Sequence, residues 1–284
     1  MIDLENFVSR LDRAKKAIND ADYILVGAGA GLSAAAGLSY SGKRFSDNFK
    51  EFIEKYDMKD MYSSGFYPFK TSEEKWAYWA KHIEVNRYSV GKTSLYAKLL
   101  KLVENKDYFV ITTNVEHQFW INGFDEDKIF ATQGDYGFFQ CSEACHDKLY
   151  YNESQIHEMV EKTTDCKIPS DLIPVCPVCG AEMETNLRKD DLFVQDNEWY
   201  EMNRRYVNYL NRIHGKKVVF LELGIGYNTP SIIRFPFEQM TYENENATLI
   251  RLNRDFPEGV KENIKKTIAF TEEMSDIFDY WLKI

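Results

Sequence analysis

The stretch from Tyr23 to Gly37, YILVGAGAGLSAAAG, leaves this chain few ways to fold. Tyr23 to Val26 is a short apolar strand that runs directly into a glycine-rich turn, and a run of small residues suited to a helix follows. With no Cβ in the way, Gly29 and Gly31 let backbone N–H groups approach a pyrophosphate, and the next helix points its positive end at the same anion. Gly29, Gly31 and Ala34 fit the GxGxxA spacing of a dinucleotide pocket. Small residues also serve plain helix–strand packing, and it is the strand before and the helix after that favour the nucleotide.

A length of 284 residues allows one large domain or a domain with a sizeable insertion, and an apolar fraction of 44% supplies its core. No apolar run approaches the length of a membrane span, and the start MIDLENFVSR lacks the basic residues and apolar block of a signal peptide. A soluble, cytoplasmic protein with no membrane partner is expected. The net charge of −10 disfavours nucleic acid as a partner, because phosphate neutralisation needs clustered Lys and Arg.

Helix and strand patterns alternate along the chain. Leu4, Phe7, Val8, Leu11 and Ile18 share one helical face between Asp3 and Asn19, with Asp3 as N-cap. Residues 38–48 read as a polar loop, either a flap over the pocket or ordinary surface. Residues 49–104 read as helices: Thr71 and Glu74 have capping-box spacing, and Trp76, Trp79, Ala80 and Ile83 form a stripe of the kind that is more often core than ligand site. Leu95, Leu99, Leu102 and Val103 repeat the pattern.

Polar or glycine residues gather at the carboxyl ends of the strands, where a parallel sheet collects its ligand. Tyr108–Thr112 ends in Thr113-Asn114-Val115-Glu116-His117, and Ile129–Thr132 in Gln133-Gly134-Asp135. Val218–Leu223 ends in Gly224-Ile225-Gly226, with Asn228 just beyond, and Thr248–Leu252 ends in Asn253. Helices over Glu198–His214 and Thr271–Leu282 complete the alternation.

Five cysteines without a secretory signal argue for metal chemistry rather than disulfides. Cys141 and Cys145 form one close pair and Cys176 and Cys179, in CPVCG, another, which suits a closed tetrahedral structural zinc site. Cys166 is left over as a passive thiol. The expected fold is α/β: a Rossmann-like, mainly parallel sheet with an inserted helical module and a small zinc-ribbon module. The Rossmann-like domain would comprise residues 1–48, 105–137 and 191–284, the helical insertion 49–104, and the zinc module 138–190.

The order of these motifs resembles the sirtuin family. Gly29-Ala30-Gly31-Leu32-Ser33 is similar to its GAG-I-S motif, and Gly37-Leu38 to the Gly-Ile that follows. Thr112-Thr113-Asn114-Val115-Glu116 resembles TQNID, Gln133-Gly134 the His-Gly dipeptide, and the four cysteines the family's zinc ribbon. Leu187-Arg188 through Phe193 is similar to the LRPxxxxF strand, Gly224-Ile225-Gly226 to GTS, and Leu252-Asn253 to the ribose-binding I-N. The resemblance implies NAD as co-substrate, bound by Gly29, Ala30, Gly31, Ser33, Gly37, Thr113, Asn114, Glu116, Gln133, Gly224, Ile225, Gly226, Asn228 and Asn253. It also implies zinc on Cys141, Cys145, Cys176 and Cys179.

The departures carry the functional expectation. Ser39-Tyr40-Ser41-Gly42 stands where the family has Pro-Asp-Phe-Arg, with Arg44 and Phe45 nearby as substitutes toward the cofactor. Glu116 replaces an Asp, and Gln133 replaces the catalytic His. A neutral amide can hold a ribose hydroxyl but has no basic lone pair with which to take its proton. Deacylation should therefore stall, while cleavage of the nicotinamide bond needs positioning and charge stabilisation more than a base. The pattern resembles the class M sirtuins, which implies ADP-ribosyl transfer to a protein, with a lipoyl-carrier protein of the glycine-cleavage H type as substrate and a macrodomain protein as associate. Asn114, Gln133 and Arg188 are the expected catalytic residues, and His117 the less favoured replacement base. Deacylation or NAD hydrolysis is the alternative, and a non-catalytic NAD or ADP-ribose sensor a second. A hydride-transferring oxidoreductase fits less well, because Glu51 and Glu54 lie in an expected helix rather than at a second strand's end.

Overall fold

The computed structural model describes residues 6–283. Among the described residues nine strands are formed: β1 Tyr23–Ala28, β2 Asp107–Thr112, β3 Ile129–Ala131, β4 Gly134–Cys141, β5 Tyr150–Tyr151, β6 Met183–Leu187, β7 Val218–Leu223, β8 Ala247–Leu252 and β9 Thr267–Phe270. Six build a parallel sheet in the order β3-β2-β1-β7-β8-β9, and three an antiparallel sheet in the order β5-β4-β6.

Helices cover both faces of the large sheet, which is why its central strands are mostly apolar rather than alternating. The charged exceptions, Glu222 in β7 and Arg251 in β8, are buried and paired with each other at 2.7 Å. Every residue of β7 is buried, as is every residue of β1 after Tyr23. One face packs against helices Phe7–Asp20, Ser94–Val103 and Met274–Leu282, through Leu11, Ile18, Leu99 and Phe278 among others. The other packs against Asn197–Ile213 and Arg234–Glu243, through Tyr209, Ile213 and Phe237. A separate core joins the helices between Lys43 and Ile83 to the small sheet, and Cys141, Cys166 and Cys176 are buried in it. The α/β class, the parallel sheet, the inserted helices and the cysteine module are thus as the sequence indicates.

The details depart from expectation at several points. The first helix starts at Phe7, where the Asn6 side chain accepts from the Val8 N–H at 3.1 Å; Asp3 and Leu4 lie outside the described residues. Val8, expected on the apolar face, is 49% exposed. Residues Lys43–Asn48 form a helix rather than a loop, because Phe45 buries itself against Phe49, the rings stacking at 5.3 Å. The strand expected from Leu187 to Phe193 stops at Leu187, so Arg188 follows a strand rather than starting one. There the Arg188 N–H bonds the Gln133 carbonyl at 3.0 Å, and Asp190 turns the chain by accepting from the Leu192 N–H. Among the described residues no helix is long and apolar enough to cross a membrane.

Candidate active site

The chain runs outward from β1 to β2 and β3, then returns to build β7, β8 and β9 on the other side. A crevice is expected at the carboxyl ends of β1 and β7, where the order reverses. There the two glycine turns lie backbone on backbone: the Gly29 N–H bonds the Leu223 carbonyl and the Gly31 N–H the Gly224 carbonyl, both at 3.0 Å. A Cβ on Gly31 would stand 2.6 Å from Gly224 Cα, and one on Gly224, at φ +63°, 2.4 Å from Gly31 Cα. Only glycine permits that approach.

A cleft of about 1050 Å³ opens above these turns and extends between the helices of residues 61–86 and the small sheet. Gly29, Ala30, Ser33, Thr113, Asn114, Glu116, Gln133, Arg188, Ile225, Gly226 and Asn228 all line it. The sequence candidates from five separate strand ends therefore converge on one site.

At its floor lies a buried polar network. Asn114 Nδ2 donates to the Gly29 carbonyl and to Ser33 Oγ, both at 3.0 Å, while its own N–H is held by Thr112 Oγ1. Glu116 Oε1 accepts from Ser33 Oγ at 2.6 Å and from Tyr96 Oη at 2.9 Å. Burial pushes the Glu116 carboxyl above its ordinary pKa, although Ser33 and Tyr96 oppose that shift. Asn114 is thereby fixed in orientation from three sides.

Gln133 and Arg188 meet across the first pair of β4 and β6, Gly134 opposite Leu187. Gly134 has φ +93°, and a Cβ there would fall 2.0 Å from the Asn186 carbonyl oxygen. Among the described residues the Gln133 amide and the Arg188 guanidinium have no hydrogen-bonding or ion-pair partner; Arg188 lies 5.9 Å from the Phe193 ring. Both are left available to a ligand. Asp135 clamps the same turn, accepting from His117 Nδ1 at 2.5 Å, from Arg87 Nε at 2.9 Å and from the Gly137 N–H at 2.6 Å. His117, which also stacks on Trp120 at 4.5 Å, is engaged in that clamp and does not line the cleft.

Other candidates lie outside the cleft wall. Gly31 packs against Gly224, Gly37 is exposed with nothing within 4 Å of where a Cβ would stand, and Phe45 is in the core. Arg44 donates to the Ser39 and Val85 carbonyls and to Asn86 Oδ1, at 2.7–3.1 Å, so it braces the loop that carries Tyr40. Asn253 donates to the Ile225 carbonyl at 2.7 Å and accepts from the Asp255 and Phe256 N–H groups, which ties two loops of the cleft together. The sequence reading missed Tyr96, Tyr40, His82 and Tyr136. Tyr96 had a signal, since a tyrosine on a buried helical face must find a partner for its hydroxyl.

The four paired cysteines converge as their spacing implies, with all ligand atoms within 4.8 Å of one another. Cys141 and Cys179 sulfurs are 3.5 Å apart and those of Cys145 and Cys176 3.7 Å. A tetrahedral zinc with bonds near 2.3 Å requires edges of about 3.8 Å, so the set fits that ion. Backbone N–H groups of Cys179 and Val178 hold the Cys176 thiol down at about 6, while desolvation and the neighbouring thiols push Cys145 up, so without a metal the four do not all ionise alike. Cys166 is buried away from the cluster.

No protein-family model matches the chain. It is 39% identical over 267 residues to a protein ADP-ribosyltransferase from Staphylococcus aureus, covering 93% of this chain and 84% of that one. It is 32% identical over 253 residues to a probable bifunctional ADP-ribose hydrolase/ADP-ribosyltransferase from Fusarium oxysporum, covering 85% of this chain and 42% of that longer protein. Its fold matches a Sir2 homologue solved with NAD, at a TM-score of 0.59 and 15% identity over 95% of this chain and 91% of the other. It also matches a Sir2 protein solved with a propionylated peptide, at a TM-score of 0.57 and 16% identity over 95% of each chain. The identity to the Staphylococcus aureus protein over most of both chains places this chain in the family of protein ADP-ribosyltransferases, and its converged glycine turns and four-cysteine module stand on a fold that Sir2 homologues share.

Proposed function

We propose that the chain is a class M sirtuin that transfers ADP-ribose from NAD to a side chain of a protein, releasing nicotinamide. The observation that carries this reading is Gln133 in the cleft wall with its amide unengaged, at the place where deacylation needs an imidazole. Among the described residues His82 is the sole histidine lining the cleft. Burial and the nearby Arg44 charge hold its pKa down to about 3, and Tyr78 and Tyr136 occupy both ring nitrogens, so it is no substitute base.

In this reading the pyrophosphate lies over the glycine turns at β1 and β7. The Gly29 and Gly31 N–H groups, expected from the sequence to hold it, already bond the Leu223 and Gly224 carbonyls, so the contact falls to neighbouring backbone of the cleft wall at Ala30 and Gly226. Asn114 orients the nicotinamide ribose from its fixed amide, and Gln133 holds the ribose hydroxyls without deprotonating them. Arg188, at the rim, stabilises charge or contacts the incoming acceptor. As nicotinamide leaves, positive charge develops on the ribose ring, and Glu116, which shares Ser33 Oγ with Asn114, lines the cleft beside it. The acceptor nucleophile then bonds to the anomeric carbon as the bond to nicotinamide breaks, and its proton passes to solvent. Cys141, Cys145, Cys176 and Cys179 would hold a structural zinc, which would brace the small sheet that presents Arg188. A lipoyl-carrier protein of the glycine-cleavage H type is the proposed substrate and a macrodomain protein the proposed associate, both on the class M resemblance.

Deacylation or NAD hydrolysis is the second reading, favoured by the solved structure on this fold that holds a propionylated peptide. Incubation with labelled NAD and cell extract, with and without lipoyl-carrier protein, separates the two. Label on a discrete protein band supports transfer, and its loss in Gln133→Ala supports the role given to that amide. Free ADP-ribose alone, or brisk removal of acetyl groups from lysine peptides at neutral pH, refutes transfer in favour of the second reading.

A further inference from the structure

Four side chains, three in the cleft wall and one buried behind it, form a hydrogen-bonded series that the transfer reaction does not use. Tyr40 Oη lies 2.7 Å from Tyr136 Oη, which lies 2.9 Å from His82 Nε2. His82 Nδ1 lies 3.2 Å from Tyr78 Oη, which lies 2.6 Å from the Met61 carbonyl oxygen. Tyr40, His82 and Tyr136 line the cleft and Tyr78 is fully buried behind them. The Tyr40 backbone is itself fixed, because its carbonyl accepts from the Met61 N–H at 2.8 Å.

The far end of the series sets the direction of every proton in it. A backbone carbonyl can only accept, so Tyr78 donates to Met61. Its hydrogen spent, Tyr78 offers only lone pairs to His82, and Nδ1 therefore carries the imidazole hydrogen. His82 is held neutral by burial and by Arg44, so Nε2 has a lone pair and accepts from Tyr136. Tyr136 in turn accepts from Tyr40. The reverse direction would set the lone pairs of His82 Nδ1 and Tyr78 against one another at 3.2 Å.

We propose that Tyr40 is an acceptor-only residue, its own hydrogen committed inward by the Tyr136–His82–Tyr78 relay, and that it selects a ligand group carrying an N–H or O–H donor. The proposal rests on the NAD reading above. Two groups of that reaction offer such a donor: the carboxamide N–H of the dinucleotide's pyridine ring and the acceptor side chain of the protein substrate. A bare carbonyl presented at the same point meets lone pair with lone pair and is rejected. Tyr40 acts by positioning, since a relay ending on a histidine of such low basicity takes no proton.

The test compares Tyr40→Phe and Tyr136→Phe with the parent, using NAD and 3-acetylpyridine adenine dinucleotide, in which a methyl replaces the carboxamide nitrogen. The parent should favour NAD by at least about fivefold more than Tyr40→Phe does, in kcat/KM, if the carboxamide is the donor. If the protein acceptor is the donor, that selectivity stays and the partition of ADP-ribose between protein and water shifts toward water in Tyr40→Phe. No change in either ratio overturns the proposal. Nitrogen NMR of His82 should show a neutral ring protonated at Nδ1. An Nε2–H tautomer or an imidazolium overturns the relay independently of turnover. Failure of the parent to bind either dinucleotide overturns the cofactor reading and the ligand assignment with it, while the His82 spectrum still decides the relay.

Discussion

Gly134→Ala tests whether the spacing of Gln133 and Arg188 depends on close contact between β4 and β6. The added Cβ would stand 2.0 Å from the Asn186 carbonyl oxygen and 2.9 Å from its carbon, about 1.4 Å short of ordinary contact with that oxygen. Both neighbours are backbone or buried, so the strands themselves must separate. An L-residue at φ +93° adds its own strain, about 1–2 kcal/mol, and overpacking typically costs about 1–3 kcal/mol more. Together the loss is roughly 2–5 kcal/mol, or a fall in Tm of roughly 3–8 °C for a chain of this size. The separation falls on the hydrogen bond between the Arg188 N–H and the Gln133 carbonyl, and a displacement near 1 Å in a reacting geometry costs about a hundredfold in rate. Gly215→Ala is the control, since Gly215 has φ +69° with nothing within 4 Å and carries the strain without the clash. Thermal melts and transfer rates of the two variants give the answer. A Gly134→Ala protein that melts within about 1 °C of Gly215→Ala and transfers at the parental rate refutes the argument.

Three further outcomes follow from the same geometry. Burial works against the Asp135 charge, but the His117 hydrogen bond and the Arg87 charge outweigh it and lower its pKa below 3.8. Its stabilisation is therefore complete above that ordinary value and is lost as pH falls through the lower folded value. Asp135→Asn should accordingly flatten the acid limb of a Tm-versus-pH curve and cost about 3 kcal/mol at pH 7 by stranding Arg87; an unchanged limb counts against the clamp. A thiol-compatible zinc chelator should lower Tm and remove about one metal per chain by elemental analysis, whereas Cys166→Ser should leave the metal content unchanged. Arg188→Ala should cut transfer at least about tenfold and Arg188→Lys recover part of it, with little change in Tm, because the side chain is exposed and unpaired; equal rates in all three remove Arg188 from the reaction.

Much of the site was legible because strand ends announce themselves. Asn114, Gln133 and Gly224 each follow an apolar run directly, and in a parallel sheet those positions share one edge. Arg44 and Phe45 illustrate the limit: their proximity in sequence to a substituted loop suggested a cofactor contact, but Phe45 found a better home against Phe49 and drew the segment into a helix. His82 and Tyr136 were invisible for another reason. They lie 54 positions apart, and nothing local tells a histidine in an apolar stripe that a tyrosine from the small sheet will face it.

The sequence by itself determined the alternation of strands and helices, the glycine turns, the cysteine cluster and the absence of an imidazole after β3. Each of these depends on residue type and near spacing, which short-range sterics and ligand chemistry control. Only the tertiary structure decided that Gly31 and Gly224 touch, that His117 is engaged by Asp135, and that the Tyr40 hydroxyl meets that of Tyr136. Those outcomes rest on contacts between segments far apart in the chain, where burial forces every polar group to find a partner and the partner cannot be named until the strands are paired.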